Sequence, residues 1–292
     1  MKPSGGLVRC LVGVVATVSG ASVVQADGLD ALAAPARSAL AAPVSEPRPE
    51  AVAGSSGSPV GARATATAAG SLSGKVVVVD PGHQLGNATH PAKVNRLVDA
   101  GGFLKACNST GTATNHGFPE ATFDWLVARS LTRQLRSRGA TVYLTRHTNS
   151  SDDWGPCIDV RGRRGNKVQA DAVISIHADG ADSAVRGFFV IRPSNRAGWT
   201  DDIAAVSRRY AHKVKAGLVH AGVRISNSYG GDGLDVRGDL GTLNWSNVPI
   251  VLVELGNMRN AVDARHMRSA TYRRHRYARA LRIGVTRFVL HR

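Results

Sequence analysis

Three apolar runs that each lead straight into an ionisable side chain constrain the fold of this chain more than any other feature. Val76-Val77-Val78-Val79 ends in Asp80-Pro81-Gly82-His83, Ala172 to Ile176 ends at His177, and Ile250 to Val253 ends at Glu254. Unbroken aliphatic runs suit strands buried on both faces, as in a parallel sheet covered by helices. Helical patterns lie between them. Pro119-Glu120 opens one, with Phe123, Leu126, Val127, Leu131 and Leu135 on one face and Gly139 closing it. Further strands are expected at 141–145 and 187–191, and helices at 160–170, 201–219 and 272–290. This alternation predicts an α/β fold: a single domain with a mostly parallel, mixed central sheet flanked by helices.

In such sheets functional groups gather beyond the carboxyl ends of the strands. His83, His177 and Glu254 should therefore converge, and Glu120, at the start of the first long helix, can join them. Two imidazoles and a carboxylate form a zinc ligand set with a fourth position for water. A second carboxylate beside such a centre can take a proton from water and pass it to a leaving nitrogen. Glu254 suits that role because partial burial raises a carboxyl pKa. His116 and His90 rival Glu120 as third ligand, and Glu120 could instead be a first-turn acid favouring the helix dipole. Asp80 reads as a turn residue or one that orients His83. Arg146 and Arg161 read as structural or as supports behind the ligands. The sequence has neither HExxH nor GxSxG, so the common zincins and nucleophile-elbow hydrolases lack support.

The first hundred residues have a different texture, with no Phe, Trp or Tyr before Phe103. Lys2 and Arg9 precede a weakly apolar stretch, 11–24, followed by Val24-Gln25-Ala26. That is the pattern of a signal peptide, here 1–26, cleaved after Ala26. The run is interrupted by Thr17, Ser19 and Gly20 and falls short of the roughly 20 residues that span a bilayer, so no stable membrane insertion is expected. Residues 27–70, rich in Ala, Pro and Ser, read as a disordered linker. A catalytic domain is expected over 71–292. Export to the periplasm, cell wall or medium makes Cys107 and Cys157 a candidate disulfide, two buried thiols being the alternative. The formal charge of +16 would permit nucleic-acid binding. The basic residues are dispersed, however, and aromatics are not interleaved with them; export also removes that target. The run Tyr272-Arg273-Arg274-His275-Arg276 reads as a solvated helix face.

Taken in order, the motifs resemble the zinc-dependent N-acetylmuramoyl-L-alanine amidase family of peptidoglycan hydrolases. They are Val79-Asp80-Pro81-Gly82-His83, Glu120 at a helix start, Leu144-Thr145-Arg146, and Arg161 with Asn166. Ala170-Asp171, Ile174-Ser175-Ile176-His177-Ala178, Gly187-Phe188 and Pro249 to Gly256 with Asn260 follow. The resemblance covers 75–289 and implies one Zn²⁺ per chain, bound by His83, Glu120 and His177, with Glu254 as the catalytic carboxylate. It implies cleavage of the amide between the lactyl group of N-acetylmuramic acid and L-alanine, on peptidoglycan or muropeptide fragments. The signal pattern and the Ala/Arg-rich composition look actinobacterial or mycobacterial, and a secreted monomer is expected. Two departures stand out. Gln84-Leu85-Gly86 replaces a Gly-Gly after the first histidine, and Asp179 replaces an asparagine, which bears on substrate contacts. Asp80, Arg146, Arg161, Asn166 and Asp179 are the supporting or substrate-contacting candidates. The long segment 84–119 is expected to shape the substrate groove. The runner-up functions are a zinc carboxypeptidase acting on stem peptides and a non-enzymatic wall- or polyanion-binding protein.

Overall fold

The computed structural model of the chain describes residues 72–229 and 231–291. The expected signal peptide and linker lie outside the described residues. Within them, the strands are β1 (Val76–Pro81), β2 (Leu97–Asp99), β3 (Leu104–Ala106), β4 (Thr141–Leu144), β5 (Ala172–Asp179), β6 (Phe189–Pro193), β7 (Leu234–Arg237) and β8 (Ile250–Asn257). Six of them form one sheet in the order β4-β1-β5-β8-β6-β7. β1 runs parallel to β4 and β5, and β5 parallel to β8. β6 is antiparallel to β8, so the sheet is mixed. The three principal helices are α1 (Glu120–Arg136), α2 (Ala204–His220) and α3 (Arg279–Leu290).

Strand side chains alternate between faces, and the two faces of this sheet do different work. Val77, Val79, Ile174, Ile176, Val251 and Val253 belong to the larger core, packed with Phe123, Val127 and Leu131 of α1 and Leu281, Val285 and Phe288 of α3. Each such fully buried side chain contributes roughly 1.5–3 kcal/mol. The opposite parity, Val78, Val173, Ile250 and Leu252 with Phe189 and Ile191, builds a smaller core. Asp80, Ser175, His177 and Glu254 continue that second parity toward the carboxyl ends of the central strands. The apolar part of each strand fixes its register, and that register delivers the polar part to one place.

The sheet departs from expectation in instructive ways. β5 and β8 run on through His177 and Glu254, which pair directly across the ladder, so these residues sit within strands. The helix expected over 160–170 is two short pieces, Ile158–Gly162 and Arg164–Lys167, because Gly162 and Gly165 are poor helix formers. The closing helix begins with a π-helical turn, Arg273–Ala278, before α3. The hairpin β2–β3 and the edge strand β7 have too few apolar residues to show in the sequence.

Candidate active site

Three donor atoms meet at the carboxyl end of the sheet. His83 Nε2 lies 3.0 Å from Glu120 Oε1 and 3.2 Å from His177 Nδ1, and His177 Nδ1 lies 3.1 Å from the same carboxylate oxygen. Glu120 arrives there as the first residue of α1, whose register is set by the buried Phe123 and Val127 below it. His83 arrives through a left-handed backbone conformation, φ 49°, which is uncommon for a residue with a side chain. Its Nδ1 donates to the Ser109 carbonyl at 3.0 Å, which turns the Nε2 lone pair toward Glu120 in the neutral ring.

The buried surroundings set the charges. Burial alone would raise the Glu120 pKa, but the His83 and His177 rings beside it hold it well below the ordinary value, so it is ionised. Burial opposes protonation of His83, yet the Glu120 carboxylate raises its pKa overall. His177 is shifted down, first by burial and also by His83. An ionised carboxylate and a neutral imidazole are the states that bind a metal ion. The structure brings together the three expected ligands, while His116 is exposed and His90 bonds to the Gly86 carbonyl.

Two buried arginines hold this geometry. Arg161 donates through Nη1 to Asp80 Oδ1 and the Pro81 carbonyl, both at 2.6 Å, and through Nη2 to the carbonyls of His83 and Gly155. Asp80 also accepts from Ser175 Oγ at 2.6 Å and from Thr145 Oγ1. Burial would raise its pKa, but Arg161, Ser175 and Thr145 bring it below the ordinary value. Arg146 donates to the carbonyls of Pro81, Gly82 and Ala121, joining the His83 turn to the start of α1. Burial and the neighbouring Arg161 lower its pKa to about 9. Asn166 stands apart, bonding Trp245 and Asn247 at the far end of the smaller core.

The donors open onto a cleft of about 490 Å³, within the size of small-molecule sites. Its floor is Phe189, Ile191 and Leu252, with Tyr229 stacked on Phe189 at 4.6 Å between centroids. Residues 105–112 of the long segment form one wall, as the groove reading expected. Gly111 is essential to that wall. At φ 77° it lies so close that a Cβ would come within 2.8 Å of Glu120 and 2.9 Å of His83. The segment is anchored behind the wall by the Cys107–Cys157 disulfide and by Asn108 Nδ2, which donates to the Pro156 carbonyl at 2.8 Å.

Glu254 faces the same cleft, paired in register with His177. Burial, followed by the charges of Glu120 and Asp179, pushes its carboxyl well above the usual range. Its Oε2 has no hydrogen-bond partner among the described residues. Asp179 lines the cleft too, with its pKa raised by burial. Sequence reasoning missed Asp124, which lies one turn after Glu120 and joins His83, Glu120 and His177 as a potential metal-holding group. It is fully buried, and a Cβ on Gly82 would fall 2.6 Å from its carboxylate and 2.4 Å from the His177 ring. It also missed Lys105 and Arg237, which share Asp239 at the rim of the cleft.

A strand-end cluster of two imidazoles and a carboxylate, facing a buried second carboxylate across a cleft, is a donor set that could hold a metal ion in the hydrolytic site of an α/β domain. Residues 77–287 match the Amidase_3 family, N-acetylmuramoyl-L-alanine amidase, and the chain belongs to that family. It is 38% identical over 235 residues to the N-acetylmuramoyl-L-alanine amidase Rv3717 of Mycobacterium tuberculosis, covering 79% of this chain and 92% of that protein. The crystal structure of the amidase Ami1 from Mycobacterium smegmatis superposes with a TM-score of 0.71 at 33% identity, over 76% of this chain and 99% of that one. Ami1 from Mycobacterium abscessus gives 0.69 at 37% identity, over 74% and 99%. The resemblance read from the motifs and the expected mixed α/β sheet both hold.

Proposed function

We propose that this chain is an exported, monomeric zinc amidase that cuts the bond between the lactyl group of N-acetylmuramic acid and L-alanine in peptidoglycan or its fragments. One observation carries the reading: His83, Glu120 and His177 present three donor atoms to a common point beside the buried Glu254. Ligands on a tetrahedral zinc at ~2.0–2.1 Å are about 3.3 Å apart, and the donor separations of 3.0–3.2 Å fit that set. Bound zinc supplies Lewis acidity, polarising the substrate carbonyl and easing deprotonation of water beside it.

The chain's own residues do the rest. The apolar floor and Tyr229 hold the substrate against the sheet, with its scissile amide toward the donor cluster and Glu254. Glu254 accepts the proton of the attacking water at Oε2 and delivers it to the departing alanine nitrogen. Burial and the neighbouring carboxylates raise its pKa above the usual carboxylate range, which is the direction that favours holding the proton between the two halves of the transfer. Asp80, Arg161 and Arg146 act through the backbone of the His83 turn, keeping the imidazole aimed.

The test is to incubate purified protein with muramyl dipeptide and follow free L-Ala-D-isoGln by mass spectrometry. Release of that dipeptide is expected, abolished by chelation and restored by zinc. Cleavage within the peptide instead would hand the site to a carboxypeptidase.

A further inference from the structure

At the far end of α1 from the site, a groove of about 510 Å³ is lined by Arg133, Arg138, Arg274, Arg279 and Arg282, with His275 beside them. The helix residues that line it start at Ser130, ten residues after Glu120, so along the helix axis the groove lies roughly 15–25 Å from Glu120. Four of the arginines are exposed and Arg282 is half-buried. None of the five is ion-paired with a carboxylate among the described residues; the ion pairs of the fold lie elsewhere. Burial lowers the Arg282 pKa, and the like charges of Arg138 and Arg279 lower it further.

Five guanidinium groups gathered without a counter-charge repel one another, and an anion in the groove relieves that repulsion. Guanidinium forks match phosphate oxygens in geometry as well as charge. The remaining lining, Ser130, Gln134 and Ser137, is polar. A membrane-docking face carries apolar or aromatic side chains that enter the headgroup boundary, and this groove has none. Its concave shape suits a chain laid along it.

We propose that the groove binds a linear phosphodiester-bearing cell-wall polymer, tethering the enzyme near its substrate while leaving the cleft open. Within the 272–276 run, read from the sequence as a solvated face, Arg274 and His275 line the groove and thereby acquire a role. The choice of a wall polymer rests on the amidase reading, whereas the binding itself is read without turnover.

The experiment titrates the folded protein with poly(glycerol phosphate) of defined length. Micromolar affinity at 50 mM salt is expected, weakening on the order of 100-fold by 200 mM if five phosphates are engaged. Arg138→Glu with Arg274→Glu, both on exposed side chains, should weaken binding at least 10-fold. It should leave muramyl dipeptide turnover unchanged. Arg265→Glu with Arg268→Glu removes the same charge from another exposed patch and should weaken binding less than 3-fold. Equal losses from both pairs would overturn the groove in favour of diffuse attraction. Tighter binding to phosphatidylglycerol vesicles than to the polymer, with the same variants affected, would overturn it in favour of a membrane. If the first pair unfolds, Arg279→Gln supplies the comparison, with loss expected and unchanged affinity overturning the proposal.

Discussion

Arg161→Met tests the claim that the metal-type centre is held through backbone carbonyls rather than by the donors themselves. Arg161 is 3% exposed and Asp80 is fully buried, with 2.6 Å between guanidinium and carboxylate. Removing one partner of a buried pair leaves an uncompensated charge, a loss of about 3–5 kcal/mol. Asp80 keeps the hydroxyls of Ser175 and Thr145, which places the expected cost at the lower end, about 3 kcal/mol. For a domain of this size that is a fall in Tm of roughly 6–12 °C. Urea unfolding followed by circular dichroism measures it. The double variant Asp80→Asn, Arg161→Met removes both charges, so it should cost less than the sum of the single changes by about 1–3 kcal/mol. The effect has a pH signature. The Asp80 pKa is depressed on folding, so its contribution is full above the unfolded value near 3.8 and lost as pH falls through the folded value. The gap between the parent protein and Asp80→Asn should therefore close on acidification. A cost for Arg161→Met below about 1 kcal/mol, against the 3–5 expected for a broken buried pair, would refute the reasoning; so would additive single changes.

Glu254→Gln should retain zinc and thermal stability but lose turnover by 100-fold or more, the scale of general acid–base catalysis; near-full activity would remove the proton-transfer role. Glu120→Ala should weaken zinc retention in a chelator competition, whereas an unchanged metal content would give the third position to Asp124. Reducing Cys107–Cys157, separated by 50 residues, should lower stability by about 4 kcal/mol on the chain-entropy model. Because that bond anchors the cleft wall, muramyl dipeptide KM should rise more than kcat falls; equal stability with and without reductant would contradict the first expectation.

The parts legible in the sequence were those where one physical demand dominates a run of residues. Continuous aliphatic strands can only be buried, so β1, β5 and β8 were visible together with the ionisable residues that continue them. The pattern from Phe123 to Leu135 has to face a core, so α1 and its first residue were visible too. Short edges escaped because nothing dominates there. β7, Leu-Asp-Val-Arg, alternates apolar and charged residues over too short a span to separate from a loop. The antiparallel direction of β6 was equally hidden, since a buried strand reads the same in either direction.

Asp124 shows what kind of signal was overlooked. It lies between Phe123 and Val127, inside the angular range that packs against the sheet, and four residues after Glu120 on the same helix. A carboxylate on a buried stripe is costly unless something compensates it, so its presence was itself an argument for a charged or metal-binding neighbour at that depth. Burial, Glu120 and Glu254 push its pKa well above the ordinary value, with Arg146 opposing them, and neither carboxylate oxygen has a hydrogen-bond partner among the described residues. An acid in that state shares the local charge balance with the donors above it. Replacing it with asparagine should therefore shift zinc affinity with little change in fold, while leaving Glu254 to carry the proton.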